Sequence, residues 1–136
     1  MEWTGGCLCG AVRYGSDAAP LWASYCHCGM CRKVSGAPYM AFVEFPAGAL
    51  RWTAGQARAY TSSDGVVRRF CGACGGSLTF EAEGLVFIAL GSLDAPERVQ
   101  VQRHCYTRDR LPGIKLADGL PQFPGPFGGK GGKPQD

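Results

Sequence analysis

The sequence contains no apolar run of the roughly 18 residues that a membrane-spanning helix requires. Its first residues have neither a basic segment nor the apolar core of a secretion signal. We therefore expect a cytoplasmic protein with no membrane contact, in a compartment where thiols stay reduced.

Strong charge of either sign is absent too. The formal net charge is +3, and charged residues make up 18% of the chain, whereas a nucleic-acid-binding domain concentrates basic residues on one face. We therefore expect no nucleic-acid partner. A small positive charge is compatible with a small anionic substrate.

Glycine and proline are abundant, and long helical patterns are missing. The 136 residues include 21 glycines and 9 prolines, a composition that favours turns and short strands. The Asp64-Gly65 pair between two alternating runs is a strong hairpin signal, and a final strand is predicted over Val99–Tyr106. The sequence predicts an all-β single small domain of short antiparallel strands, with at most one turn of helix after Cys31.

The composition changes towards the end of the chain. Proline and glycine dominate from Leu111 onward, and little apolar content follows residue 123. We expect the domain to span residues 1–123. Residues 124–136 are predicted to form a Gly/Pro-rich tail that is mobile or lies along the surface.

Eight cysteines are the main chemical signal in the sequence. Three thiols within six residues rarely have the geometry for a disulfide, and reduced clusters of this kind are typical of metal sites. Disulfide pairing is the alternative. Seven of the cysteines fall in three groups: Cys7 with Cys9, Cys26 with Cys28 and Cys31, and Cys71 with Cys74.

A closed structural zinc site needs four ligands, which are usually supplied as two pairs. Joining the two pairs predicts a structural zinc on the four-cysteine cluster, Cys7, Cys9, Cys71 and Cys74. The three-cysteine cluster, Cys26, Cys28 and Cys31, is then left to hold a second zinc with an open coordination position, the pattern of a reactive site. A thiol bound there would lose its proton. The alternative is a second structural site, completed by His27, His104, Cys105 or another chain.

Two cations directly follow the three-cysteine cluster. Positive charge near thiolates lowers the pKa of a thiol and can hold a carboxylate. Arg32 and Lys33 are therefore candidate substrate-binding residues, together with Ser35 and Gly36. The alternative for Arg32 and Lys33 is that their side chains are only solvated.

The remaining cysteine and the two histidines have structural interpretations. Alternation along the predicted final strand places Cys105 in the core. It places His104 on the opposite face, where a solvated or hydrogen-bonded structural histidine is expected, with a proton carrier as the alternative. We expect His27 to point away from the metal.

Five segments resemble the glutathione-dependent formaldehyde-activating enzyme family, whose domain also occurs in centromere protein V. The resemblance covers the chain to about Phe123. The segments are Gly6–Tyr14, Cys26–Gly36, Phe70–Gly75, Gly91–Asp94 and Asp118–Pro121.

The resemblance implies a β-tent-like fold stapled by zinc, with two zinc ions per chain on the two clusters already defined. It implies a zinc-dependent carbon–sulfur lyase-type enzyme, similar to S-(hydroxymethyl)glutathione synthase. Its small-molecule partners would be a thiol such as glutathione and formaldehyde or a similar aldehyde. A non-catalytic zinc-binding module that recognises a ligand or a protein is the alternative. The sequence identifies neither a proton-transfer residue nor an oligomeric state.

Overall fold

The computed structural model describes residues 1–126, and the predicted tail residues 127–136 lie outside the described residues. Within that range the protein is mostly β, and the predicted all-β class with little helix is confirmed. None of the described helices is long and apolar enough to cross a membrane. The strands are β1 Trp3–Gly6, β2 Arg13–Ser16, β3 Trp22–Cys26, β4 Met40–Phe45, β5 Arg51–Ala54, β6 Arg58–Ser63, β7 Val66–Phe70, β8 Ser77–Ala82, β9 Leu85–Ala89 and β10 Arg103–Cys105, and the helix is α1 Gly29–Ser35.

The chain forms two compact units. The first unit comprises Met1–Trp22 and Val43–Val99, and the second comprises Ala23–Phe42 and the described residues from Gln100 onward. The four-cysteine cluster belongs to the first unit and the three-cysteine cluster to the second. The predicted domain limit at residue 123 stays a prediction.

Antiparallel sheet forms the first unit. Strand β2 pairs with β1 on one side and with β5 on the other. Strands β6 to β9 form an antiparallel meander, in which Asp64-Gly65 turns β6 into β7. Gly65 has a φ of 73°, a conformation that glycine adopts without strain. The predicted hairpin is therefore confirmed.

Two features of the second unit differ from the expectations. The predicted strand Val99–Tyr106 is wrong except for β10. Val99 caps a short 3₁₀ helix over Pro96–Arg98, residues 100–102 form no strand, and Tyr106 has a φ of 54° that ends the extended backbone. Strand β10 also pairs with β3 in parallel, with Cys105 opposite Cys26. Parallel strands need a crossover of a dozen or more residues, and residues 27–102 separate these two.

Helix α1 is longer than the single turn that we expected. It begins inside the three-cysteine cluster, because Cys28 is its N-cap and the Cys28 Sγ accepts a hydrogen bond from the Cys31 amide at 3.3 Å. It ends at Gly36, whose φ is 70° and whose amide donates to the Arg32 carbonyl at 2.8 Å. The cluster is therefore built into the start of a helix.

Residues 121–125 return to β10 and hydrogen-bond to it. The His104 amide donates to the Pro121 carbonyl, and the Phe123 amide donates to the His104 carbonyl, both at 2.9 Å. The Tyr106 amide donates to the carbonyl of Gly125 at 2.8 Å, and Gly125 is buried. The first residues of the predicted tail are therefore bound to the second unit.

Candidate metal centres

The four-cysteine cluster brings together two distant turns of the first unit. Its sulfur atoms all lie within 4.8 Å of one another. The Cys9 and Cys71 sulfurs are 3.8 Å apart although 62 positions separate them in the sequence, and the Cys7 and Cys9 sulfurs are 3.7 Å apart. One pair follows β1 and the other follows β7. The structure therefore assembles the grouping that the spacing predicted.

The two turns are built alike. Gly10 has a φ of 80° and its amide donates to the Cys7 carbonyl at 3.1 Å, while Gly75 has a φ of 78° and its amide donates to the Cys71 carbonyl at 2.8 Å. Glycine fits these left-handed positions, which let each chain segment fold back tightly around its sulfurs. Each pair of cysteines is therefore followed by a glycine that closes its turn.

Backbone amides support negative charge on this cluster. The Val12 amide, 3.3 Å from the Cys7 sulfur, is the main cause that lowers the pKa of Cys7 to about 6. Amides of Cys9 and Gly76 lower the pKa of Cys74. Sulfurs prepared in this way suit a divalent, thiophilic ion such as zinc.

The three-cysteine cluster comes from one short segment of the second unit. Cys26 ends β3, Cys28 caps α1 and Cys31 lies in its first turn. Their sulfurs all lie within 4.8 Å of one another. Cys26 and Cys31 are buried, whereas Cys28 is partly exposed. The three donors can therefore share one ion, with Cys28 on the more open side.

Negative charge in this cluster concentrates on Cys28. Hydrogen bonds from the thiols of Cys26 and Cys31 lower the pKa of Cys28, and amides of Cys31 and Met30 add to the effect. Hydrogen bonding with Cys105 and Cys28 raises the pKa of Cys26, and the same kind of interaction with Cys26 and Cys28 raises that of Cys31. These hydrogen bonds favour a thiolate on Cys28, and a bound cation would favour loss of the protons of Cys26 and Cys31.

None of the three candidates for a fourth ligand lies within 4.8 Å of all three sulfurs, although Cys105 hydrogen-bonds with Cys26. Among the described residues, the group within 4.8 Å contains the three cysteines alone. His27 and His104 are fully buried and hydrogen-bond to each other, and Cys105 is buried as expected. The hydrogen-bonded role predicted for His104 is confirmed. The described part of the chain therefore offers this site three sulfur donors.

The predicted substrate-binding residues all lie on α1 or at its end. Lys33 is exposed and Arg32 is half-buried. The Ser35 hydroxyl donates to the Cys31 carbonyl at 2.7 Å, and the Gly36 amide donates to the carbonyl of Arg32. Both groups already serve the end of the helix. Their contact with a substrate stays a prediction.

Sequence reasoning missed Tyr106. It is the only non-glycine residue with a positive φ among residues 1–126, and such strain is often kept at functional sites. Burial raises the pKa of its phenol, and the thiols of Cys26, Cys105 and Cys28 raise it further. The ring therefore lies within the electrostatic field of the three-cysteine cluster. No sequence pattern signals a left-handed tyrosine.

Asp118 was not assigned a role either. Its carboxylate lies 2.7 Å from the Nε2 atom of His104, and its other oxygen accepts a hydrogen bond from the Leu120 amide at 3.0 Å. The available signal was its position in the Asp118–Pro121 segment, which belongs to the family resemblance. That resemblance draws attention to Asp118, but it does not predict that His104 is its partner.

Comparisons with known proteins agree with this architecture. Residues 2–109 match the family model described as glutathione-dependent formaldehyde-activating enzyme. No curated protein matches the chain. The crystal structure of a Rhodobacter sphaeroides protein is similar, with a TM-score of 0.60 and 19% sequence identity over 72% of this chain and 96% of that one. At that identity the likeness concerns the fold alone.

Proposed function

The chain belongs to the glutathione-dependent formaldehyde-activating enzyme family, and from that premise we propose that it joins glutathione, or a similar thiol, to formaldehyde or another small aldehyde. In the forward direction a carbon–sulfur bond forms, the carbonyl electron pair moves to oxygen, and the proton lost by the thiol is balanced by the proton that oxygen gains. The reverse reaction is that of a carbon–sulfur lyase. The observation that carries the proposal is the convergence of three sulfurs without a fourth donor among the described residues.

We assign zinc to both clusters. Four sulfurs complete a tetrahedral zinc, so the four-cysteine cluster receives the structural role. Held by the three-cysteine cluster, zinc would supply an open position for a thiol and Lewis acidity towards an aldehyde oxygen. All eight cysteines are free for ligation, and the place of action that we propose is the cytoplasm, where thiols stay reduced.

The protein's own residues would hold the thiol substrate in place. Arg32 and Lys33 follow the cluster on α1 and carry the charge that a glutathione carboxylate needs. Ser35 and Gly36 are retained as candidate lining residues, although their polar groups already have partners in the chain. No side chain is assigned the transfer of the proton to the aldehyde oxygen.

The proposal is tested by measuring exchange between ¹³C-formaldehyde and its glutathione adduct by NMR. We expect the zinc-loaded protein to accelerate adduct formation above the uncatalysed rate. Cys28→Ser should remove the acceleration, whereas Met30→Ser changes an exposed residue of the same segment and should preserve it. No acceleration with glutathione or with other thiols would contradict the enzyme and favour a binding module.

A further inference from the structure

A chain of three hydrogen-bonded side chains in the second unit has no role in the function proposed above. His27 Nε2 lies 2.9 Å from His104 Nδ1, and His104 Nε2 lies 2.7 Å from Asp118 Oδ2. His27 stands between Cys26 and Cys28 in the sequence. The Asp118 side chain is 42% exposed. The chain therefore runs from the backbone of the three-cysteine cluster to the surface.

Both imidazoles are held tightly. His27 and His104 have no exposed surface, and burying a polar ring without hydrogen bonds would cost stability. The ring of Tyr39 packs on His27 at 4.6 Å, and that of Tyr25 packs on His104 at 4.9 Å. Aromatic faces thus restrict the rings, while hydrogen bonds set their rotation.

The carboxylate end defines the direction of the hydrogen bonds. Burial acts to raise the pKa of Asp118, but hydrogen bonds from His104 and from the Leu120 amide outweigh it and lower that pKa. Asp118 therefore accepts, and His104 Nε2 donates. With one proton on each ring, His104 Nδ1 accepts from His27 Nε2. His27 Nδ1 is then unprotonated, and among residues 1–126 this buried nitrogen has no hydrogen-bond partner.

The backbone around His27 couples these hydrogen-bonded side chains to the orientation of the Cys26 and Cys28 side chains. The His27 amide donates to the Cys105 carbonyl at 3.1 Å. Cys26 ends a strand, and Cys28 has extended angles of φ −64° and ψ 155°. Successive side chains of extended backbone point to opposite sides. Holding the ring of His27 on one side therefore helps to fix the sulfurs on the other.

We propose that His104 and Asp118 are positioning residues for the three-cysteine cluster. They orient the ring of His27 and, through it, the two neighbouring sulfurs, so that these converge with Cys31 on one metal ion. The inference rests on the proposed function only for the metal-binding role of the cluster. It does not depend on turnover.

The test measures zinc affinity at each cluster, by competition between the zinc-loaded protein and a chromogenic chelator. Loss of a partner outside the ligand set commonly weakens metal binding by about 10- to 100-fold. Asp118→Ala should weaken zinc binding at the three-cysteine cluster by roughly tenfold, at the low end of that range, because Asp118 acts through two rings. Asp118→Asn keeps one of the two oxygen acceptors, which can still serve His104 Nε2, and it should weaken zinc binding less than Asp118→Ala does.

Asp94→Ala is the matched control. It removes a carboxylate of similar exposure, 44% against 42%, from the first unit, and it should leave the three-cysteine cluster unchanged. Unaltered zinc affinity in Asp118→Ala would overturn the proposal. An Asp118→Asn variant as weak as Asp118→Ala would overturn the assignment of Asp118 as an acceptor.

A second readout needs no variant. Histidine ¹⁵N NMR of the zinc-loaded protein should show His27 protonated at Nε2 and bare at Nδ1, and His104 protonated at Nε2. A proton on His27 Nδ1 would contradict the hydrogen-bond chain. If the protein accelerates no reaction while Asp118→Ala loses zinc, the proposed function is wrong and the positioning role stands. If the protein is active and Asp118→Ala binds zinc as tightly as the original protein, only the positioning role is wrong.

Discussion

The two cysteine clusters differ in how much chain each one closes. The four-cysteine cluster joins two turns that are 62 positions apart at Cys9 and Cys71, whereas the three-cysteine cluster takes every donor from a single segment at the start of α1. A cross-link between distant segments restricts the unfolded chain, and one within a short segment restricts it little. The first arrangement suits stability, and the second leaves room for chemistry.

Energetics sharpen this contrast. Binding of a structural zinc contributes about 10–16 kcal/mol in small zinc domains, which is comparable to the roughly 5–15 kcal/mol by which whole domains are stable. The first unit would therefore depend on its ion. The second unit would depend less on its ion for stability, because the pairing of β3 with β10 and the packing of Tyr25 and Tyr39 on the two histidines also hold it together.

The largest expected effect comes from Cys71→Ser. Cys71 is buried and its sulfur accepts a hydrogen bond from the Ala73 amide at 3.3 Å. Loss of one of four thiolates should cost several kcal/mol of an ion-binding energy of about 10–16 kcal/mol. Thermal unfolding followed by circular dichroism should show no cooperative transition above 37 °C. A melting curve like that of the original protein would refute the structural role of this cluster.

The next largest effect is expected for a variant of the three-cysteine cluster, Cys28→Ser. This variant should reduce turnover to the uncatalysed rate, because it removes one of the three sulfurs that would hold the zinc. Serine is a good N-cap, so α1 should persist and Tm should fall by less than about 5 °C, roughly 1 kcal/mol. NMR exchange and calorimetry measure the two outcomes. Equal loss of stability in Cys28→Ser and Cys71→Ser would contradict the division of labour.

A smaller effect concerns the cations after the three-cysteine cluster. The double variant Arg32→Gln/Lys33→Gln should raise KM for glutathione about threefold to tenfold, since exposed charge pairs contribute up to about 1 kcal/mol each. Saturation kinetics with 2-mercaptoethanol, which has no carboxylate, provide the control and should not change. An equal rise in KM for both thiols would show that these cations do not recognise a carboxylate.

The smallest effect lies in the first unit, at the ion pair of Arg13 and Asp94. Hydrogen bonds from Arg13 and Thr4 lower the pKa of Asp94 to about 2. The resulting stability is fully present above about pH 4, the ordinary pKa of Asp, and is lost as pH falls towards 2. The two side chains are 34% and 44% exposed. Because solvent screens such a pair, Asp94→Asn should lower the free energy of unfolding by only about 0.5 kcal/mol at pH 7.

Urea unfolding of the zinc-loaded protein at pH 7 checks this last prediction, because thiolate sites release their metal in acid. The free energy of unfolding of Asp94→Asn should be about 0.5 kcal/mol below that of the original protein, and the difference should shrink in about 1 M salt, which screens exposed charges. A difference that does not change with salt would mean that the carboxylate charge contributes nothing.

The cysteine groups could be predicted from the sequence because metal ligation limits the possible spacings. The pairs Cys7/Cys9 and Cys71/Cys74 could each supply half of a tetrahedron. The hairpin at Asp64-Gly65 was predictable for a similar reason, since this pair of residues is typical of tight hairpin turns. In each case the signal lies within a few neighbouring residues.

The depth and partners of His104 could not be predicted in this way. An alternating pattern assigns residues to faces of a strand, but β10 contains only three residues and all are buried. The partner that makes a buried His104 acceptable, Asp118, lies 14 positions further along. The strained backbone of Tyr106 depends equally on tertiary contacts. Such features come from how distant segments meet.

The return of residues 121–125 to β10 has a consequence for shortened forms of the protein. A proteolytic cut or a premature stop codon before Asp118 would remove the backbone partners of His104 and Tyr106. An uncovered strand edge is a template for pairing with other chains. We expect such fragments to aggregate even though every cysteine is still present, so intact sulfur content alone would not identify a sound preparation.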